Sequence, residues 1–288
     1  MLFDDAMKNN ESVLNKDVSY IDLFFFSVKI GIRAILKGVI TKESIKRVLC
    51  PLDVSRYYEL PKVASSLKIK KGFKILDISS PKLISYYLAN KYPEAKFYAI
   101  DNFRKEIISW KRVVDSPANL KTLVEDATKL SFPNNYFDEV FSVSVIEHLG
   151  NEKDYSDGQM VKEVYRVMKK GGRFIFTTII SKEGKIVLSK KKLYSSRKTS
   201  SKKVFFCRVY TPSLVEKRIF QVKQFNKIEE EICNYKFSTY EYIFNKLIPF
   251  STVLGWLNLV VAPQMLFPTK NKNLVGERAE YFAVLEKR

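Results

Sequence analysis

The chain has 288 residues, 46% of them hydrophobic and 28% charged, which suits one large domain with room for an insertion and excludes a globally disordered chain. Lys and Arg number 50 against 31 Asp and Glu, a formal charge of +19, so the surface favours polyanions, anionic lipid headgroups or acidic substrates, with part of the charge attributable to codon bias in a chain also rich in Ile, Asn, Tyr and Phe. Three widely spaced cysteines and a single histidine, His148, exclude a disulfide framework, a CxxC cluster and a His-rich metal site.

Residues 1–50 form the first zone. It opens with the polar, acidic MLFDDAMKNNESVLNKD, unlike the basic and then apolar start of a signal peptide, which points to a reducing, cytoplasmic setting. It continues as YIDLFFFSVKIGIRAILKGVI, read as a helix. Lys29, Arg33 and Lys37 recur there every four residues and form one basic stripe on an otherwise apolar helix. Such a helix either packs its apolar side on the domain or lies peripherally on an anionic membrane surface, here the inner face. DVSRYYELPKVASSL predicts a further helix before the first strand.

From residue 70 to 180 strand and helix signals alternate. KILDIS, KFYAID, LKTLVE, EVFSVSV and GRFIFTTII are short and rich in β-branched and aromatic residues, as strands are. KLISYYLANKY, KEIISWKRVV and GQMVKEVYRVMKK read as the helices between them. This alternation predicts βαβ units and an α/β fold, a parallel sheet with helices on both faces. Residues 181–208 are Lys- and Ser-rich and are expected to form a solvated loop, or a basic arm for phosphate or anionic lipid. Beyond them, strand-like KIEEEICNYKF and AEYFAVLEKR flank an apolar insertion at 240–275. Its residues 247–269 carry no charge and are long enough to span a bilayer. Pro249, Gly255, Asn258, Pro263 and Gln264 favour instead a packed lid over the active site, then an interfacial segment. The chain thus divides into an N-terminal helical region, 1–50, and one domain, 51–288.

In an open parallel sheet, ligands bind beyond the carboxyl ends of the strands. The residues at those ends are Asp77, Ser79 and Ser80 after the first strand, Asp101 and Asn102 after the second, Asp126 and Ala127 after the third, and Ser144, Glu147 and His148 after the fourth. The segments ILDISSPK, YAID, VEDATKLSFPNNYFDEVFSVSVIEHL and VMKKGGRFIF, in that order, resemble the class I S-adenosylmethionine-dependent methyltransferases. Within that class the type 11 domain of ubiquinone and menaquinone biosynthesis is the nearest subgroup. The resemblance covers about residues 70–180.

It implies a Rossmann-like fold with a seven-stranded, mostly parallel sheet in the order 3-2-1-4-5-7-6, an N-terminal helical region and a C-terminal insertion. It also implies S-adenosylmethionine as cofactor and no metal. Asp101, with Asn102 beside it, would take the ribose hydroxyls, and Asp126 and Ala127 the adenine edge. Asp77, Ser79, Ser80 and Ser144 would lie around the methionine part, whose carboxylate Arg56 and Tyr57 would approach from the preceding helix. One departure stands out. The glycine-rich pattern D-x-G-x-G-x-G is absent, with Ser79, Pro81 and Leu83 at its glycine positions. Ser79 or Ser80 is then expected to cap the next helix, with Pro81 in its first position and Lys82 pairing with the cofactor carboxylate.

His148 has the intrinsic pKa of a general base, set against a structural role for the EHL turn. No Asn/Asp-Pro-Pro-aromatic motif, Pro-Cys nucleophile or RNA-binding module is present, which argues against a nucleic-acid acceptor. The expected acceptor is a small molecule, a glycan or a lipid-linked metabolite, methylated on oxygen or carbon. Two alternatives remain: a non-catalytic binding or scaffold protein on this fold, and a nicotinamide-dependent oxidoreductase, which would need the missing G-x-G-x-x-G.

Overall fold

The computed structural model describes residues 18–151, 153–189, 204–222, 224–235 and 255–288. Helix α1 (Tyr20–Leu36) starts at a reciprocal capping box, in which Ser19 and Asp22 each bond the other's backbone amide. It buries Leu23, Phe24, Val28, Ile30 and Ala34 and leaves Lys29 and Arg33 exposed. Helix α2 (Lys42–Leu49) begins at a second box, Thr41 with Ser44. The two helices touch at Gly31, where a Cβ would stand 2.7 Å from Val48 Cγ2 and 2.8 Å from the Ser44 carbonyl. Helix α3 (Val54–Ser66) is capped by Asp53 and carries Pro61 within it.

The alternating zone follows as β1 (Lys74–Ile78), α4 (Lys82–Lys91), β2 (Lys96–Asp101), α5 (Arg104–Val113), β3 (Leu120–Val124), β4 (Phe137–Val143), α6 (Ser156–Val167) and β5 (Met168–Ile180). These five strands pair in parallel in the order β3-β2-β1-β4-β5. Period-2 alternation splits each strand between two apolar layers. Ile75, Phe97, Ala99, Phe141 and Ile175 face α1, α3, α4 and α5, while Leu76, Ile100, Val140, Phe174 and Phe176 face the Met160, Val161 and Val164 side of α6.

The remaining strands are β6 (Lys185–Ser189), β7 (Val204–Val209), β8 (Phe225–Tyr235), β9 (Leu266–Thr269) and β10 (Ala279–Lys287), with α7 (Pro212–Arg218) after β7 and α8 (Asn258–Met265) before β9. β10 lies antiparallel between β5 and β8, which reproduces the expected order 3-2-1-4-5-7-6 over seven strands. The sheet nevertheless has eight strands, not seven. β9, from the apolar insertion, pairs antiparallel with the outer edge of β8 and satisfies backbone groups an open edge would expose. Pro268 is tolerated there because an edge strand has one side free of ladder bonds.

Two other expectations change. The basic stretch 181–208 is not all loop, because β6 and β7 pair as a separate antiparallel ribbon. The apolar residues of KIVLS and VFFCRV carry it, and the lysine density around them masks that pattern. Residues 190–203 of that stretch lie outside the described residues. In the uncharged segment 247–269, the described part is a short 3-10 turn (Gly255–Leu257), α8 and β9. No described helix is long and apolar enough to cross a membrane. This part does not cover the strand ends either. Its Trp256 indole donates to the Val48 carbonyl at 2.8 Å and stacks edge-on to Phe24, and Asn258 donates to the Leu52 carbonyl, so the segment is anchored beside α1–α3.

Candidate active site

The first loop is held by groups the sequence already carries, arranged differently from expectation. Asp77 ends β1 almost fully buried; its Oδ1 accepts the Ser80 amide at 3.0 Å and its Oδ2 accepts the Ser85 hydroxyl. Burial pushes the Asp77 carboxyl up, against the opposing pull of Lys82 and these hydrogen bonds. Ser80 Oγ accepts the Val143 amide at 2.8 Å, tying the loop to the end of β4. No side chain caps α4, whose cap position is Pro81. The serines are therefore not N-caps, because Ser80 is already bonded across to β4. Ser79 sits in the left-handed region at φ 54, the conformation a glycine would otherwise supply.

Lys82 corrects a second expectation. Its ammonium lies at the cavity but is engaged by the protein instead of being held out for a carboxylate. It is buried against Asp101, donating to Asp101 Oδ2 at 2.9 Å and to the carbonyls of Ser80 and Ile100 at 3.1 and 3.4 Å. Asp101 Oδ1 accepts the Phe103 amide at 2.8 Å. An ionised carboxylate offers about four lone-pair sites, so Asp101 keeps acceptor capacity for two hydroxyls. Asn102 beside it is exposed. After β3, Asp126 is exposed and Oδ1 takes both the amide (2.8 Å) and the hydroxyl (2.7 Å) of Thr128, which closes the turn.

After β4, Ser144 is held at φ 51 by two bonds from its amide, to the Thr177 carbonyl and Oγ1 at 3.2 and 3.1 Å. Its hydroxyl donates to Glu59, a fully buried carboxylate that also takes Thr177 Oγ1 at 2.7 Å and the Arg56 guanidinium. Arg56 is thereby fixed with its back to Glu59. His148 closes the following 3-10 turn (Ile146–His148); its Nδ1 donates to the Phe206 carbonyl of β7 at 2.7 Å. That bond selects the tautomer in which Nε2 is the basic nitrogen. Burial holds the His148 pKa below its ordinary value. Neighbouring Glu147 points the other way, buried and bonded to Thr178 Oγ1 at 2.9 Å, and burial pushes it up to about 7.

These strand ends enclose a cavity of about 970 Å³. Ser79, Ser80, Asp101, Asn102, Asp126, Ser144 and His148 all line it, as does Arg56. Asp77 and Ala127 do not; both are buried beneath it, and Asp77 acts through the loop it holds. Tyr57 does not line it either, since its ring packs on Tyr20 in the core. Sequence reasoning missed the far wall: Glu43, Lys46 and Arg47 of α2, Phe103 and Trp110 of the α5 region, and Val204 and Phe205 of β7. It also missed Glu59, whose only local signal is its position one turn after Arg56.

Comparison with known proteins bears on this arrangement. The methyltransferase-domain family matches residues 76–176, the span from β1 to β5 that supplies most of the cavity's floor. Residues 76–176 are a class I methyltransferase domain. The methyl donor of this class is S-adenosylmethionine. Among solved structures, coclaurine N-methyltransferase bound to N-methylheliamine and SAH is similar in fold, with 12% identity over 94% of this chain and 95% of that one and a TM-score of 0.51. A putative S-adenosylmethionine-dependent methyltransferase from Listeria monocytogenes aligns at 12% identity, covering 80% of this chain and 98% of that one, with a TM-score of 0.50. A putative methyltransferase from Bacillus halodurans aligns at 14%, over the same 80% and 98%, also at 0.50. No curated protein matches the sequence. At these identities the neighbours speak to the methyltransferase fold only.

The residues of the methyltransferase cavity fit that donor chemically. Asp101 is an acceptor-only group at the end of β2, Arg56 a fixed cation at the β4 side, and Ser79 takes the turn without glycine. The volume lies near the upper end of the roughly 300–1,000 Å³ common for ligand sites, room for a donor and an acceptor together.

Proposed function

We propose that this methyltransferase methylates an oxygen or acidic carbon of a small-molecule, glycan or lipid-linked acceptor, with His148 as general base. S-adenosylmethionine, when bound, supplies a methyl group activated on a sulfonium sulfur. The chain's own residues would do the rest. Asp101 and Asn102 hold the ribose, Asp126 the adenine side, and Ser79, Ser80, Ser144 and Arg56 the methionine end. Positioning of this kind is the main catalytic contribution expected for an in-line displacement. His148 Nε2 would take the acceptor's proton, and the β7 residues Val204 and Phe205 would limit water at that wall.

The observation that carries the reading is the state of His148. It lines the cavity on the β4 side, one strand across β1 from Asp101, with Nδ1–H committed to Phe206 and the neutral form favoured by burial. A cytoplasmic enzyme working peripherally at the inner membrane face agrees with the basic charge. Calorimetric titration of S-adenosylmethionine into the protein, with Asp101→Asn as control, tests the donor site. Saturable binding weakened in the variant is the expected result. Absence of binding by folded protein would sink the reading in favour of a non-catalytic scaffold.

A further inference from the structure

Among the described residues, one face exposes apolar side chains that neither core layer covers. With α1 turning about 100° per residue, Ile21, Phe25, Ile32 and Leu36 fall within an arc of about 60°, and Leu36 is 81% exposed. Lys29 and Arg33 follow directly on that arc, both exposed. α2 exposes Lys42, Ile45, Lys46 and Leu49, spaced as one face of a helix, and Ile40 protrudes from the turn between the helices. Trp256 joins the two. Its ring centre lies 6.2 Å from that of Phe25 while its indole bonds to the α2 carbonyl of Val48. Leu257 and Val260 continue outward from it, the latter 68% exposed. Exposed apolar residues scattered singly need no explanation, but a gathered patch marks an interaction surface.

Charge selects the occupant. Lys29, Arg33, Lys42 and Lys46 interleave with the apolar residues. Among the described residues, the acids of α1 and α2 are engaged, Asp22 in the α1 cap and Glu43 with Arg47, and the nearby Asp115 pairs with Lys37. A second copy of a chain carrying +19 would be repelled across such a face. Basic residues around an apolar stripe with an indole at its edge suit the headgroup layer of an anionic bilayer. We propose that the face formed by α1, α2 and Trp256 docks on an anionic lipid membrane. α2 also lines the cavity through Glu43, Lys46 and Arg47, so docking sets one wall of the cavity at the membrane surface. That a lipid-linked acceptor arrives by this route rests on the methyl-transfer reading above; the docking does not.

Flotation of the full chain with vesicles tests it, using phosphatidylcholine alone and phosphatidylcholine mixed with phosphatidylglycerol. Binding is expected only to the anionic vesicles and should weaken with salt. Lys29→Gln and Arg33→Gln should each lower it about fivefold, and Leu36→Ser with Val260→Ser should lower it at least about tenfold. All four positions are exposed, so thermal unfolding should be unchanged. Absence of vesicle binding, or binding indifferent to both sets of variants, overturns the proposal. So does a wild-type dimer that the same variants dissociate without any vesicle binding, which would give the face to a second copy. Donor titration on the same variants keeps the two readings apart, because lost docking with intact donor affinity bears on this face alone.

Discussion

Lys82→Met tests whether a buried ion pair now organises the first loop in place of the missing glycines. In the native chain the Lys82 ammonium donates to Ser80 O, Ile100 O and Asp101 Oδ2, with the side chains of Lys82 and Asp101 only 4% and 10% exposed. Methionine keeps the stem's reach and packing but removes the charge and its donors. Among the described residues, Asp101 is then left with the Phe103 amide as its one fixed donor. Removing one partner of a buried pair costs about 3–5 kcal/mol. Because Asp101 lines a wide cavity that water enters, about 2–3 kcal/mol is expected here. Adding Asp101→Asn to Lys82→Met removes the uncompensated charge and should restore about 1 kcal/mol or more, a clear departure from additivity. Urea unfolding followed by circular dichroism, compared at constant slope, reads both quantities. A loss below about 1 kcal/mol for Lys82→Met, or strict additivity of the pair, would refute the reasoning.

Ser79→Gly should stabilise the fold. A left-handed residue with a Cβ costs about 1–2 kcal/mol, glycine returns about 0.5–1 of that as chain entropy, and the net gain of about 0.5–1 kcal/mol is readable from the same urea midpoints; a loss would contradict the strain. Burial raises Glu147 to about 7 and, with the charge of Glu59, Glu280 to about 8. A raised carboxyl pKa means the folded state holds protons the unfolded chain has released, so this stabilisation is full below the ordinary 4.5 and is lost as pH rises through about 7. Glu147→Gln should therefore flatten the fall in melting temperature between about pH 5 and 8, and a variant falling as steeply as wild type would count against it. His148→Gln should lower kcat/KM by about 10²–10⁴-fold and abolish the acid limb of the pH profile, a limb expected below 6.5 because burial favours the neutral ring; an unchanged limb would assign that titration to another group.

Strands β1 to β5 and the helices between them were legible from sequence because their signals are local. FIFTTII and KFYAID are short runs rich in β-branched and aromatic residues that fit strands buried on both faces, and KFYAID ends at Asp101, which lines the cavity. The resemblance of the ordered segments ILDISSPK, YAID, VEDATKLSFPNNYFDEVFSVSVIEHL and VMKKGGRFIF pointed to the class. Other features depend on partners far apart in the chain. β9 exists because β8 offers an open edge, and nothing in LFPT alone announces a strand. Lys82 meets a carboxylate nineteen residues on, and Glu59 meets Thr177 across 118. Ser79 takes a glycine's conformation only because the Asp77–Ser80 and Ser80–Val143 bonds hold the turn around it.

The sequence by itself determined the sheet's parallel half, the strand-end acids and the solitary histidine, because hydrophobic period and residue chemistry act over a few neighbours. The tertiary structure alone decided which charges are spent on each other and which face the cavity. It also decided that the apolar segment after Gly255 packs beside α1 instead of over the site, since burial and ion pairing are settled by what folding brings close.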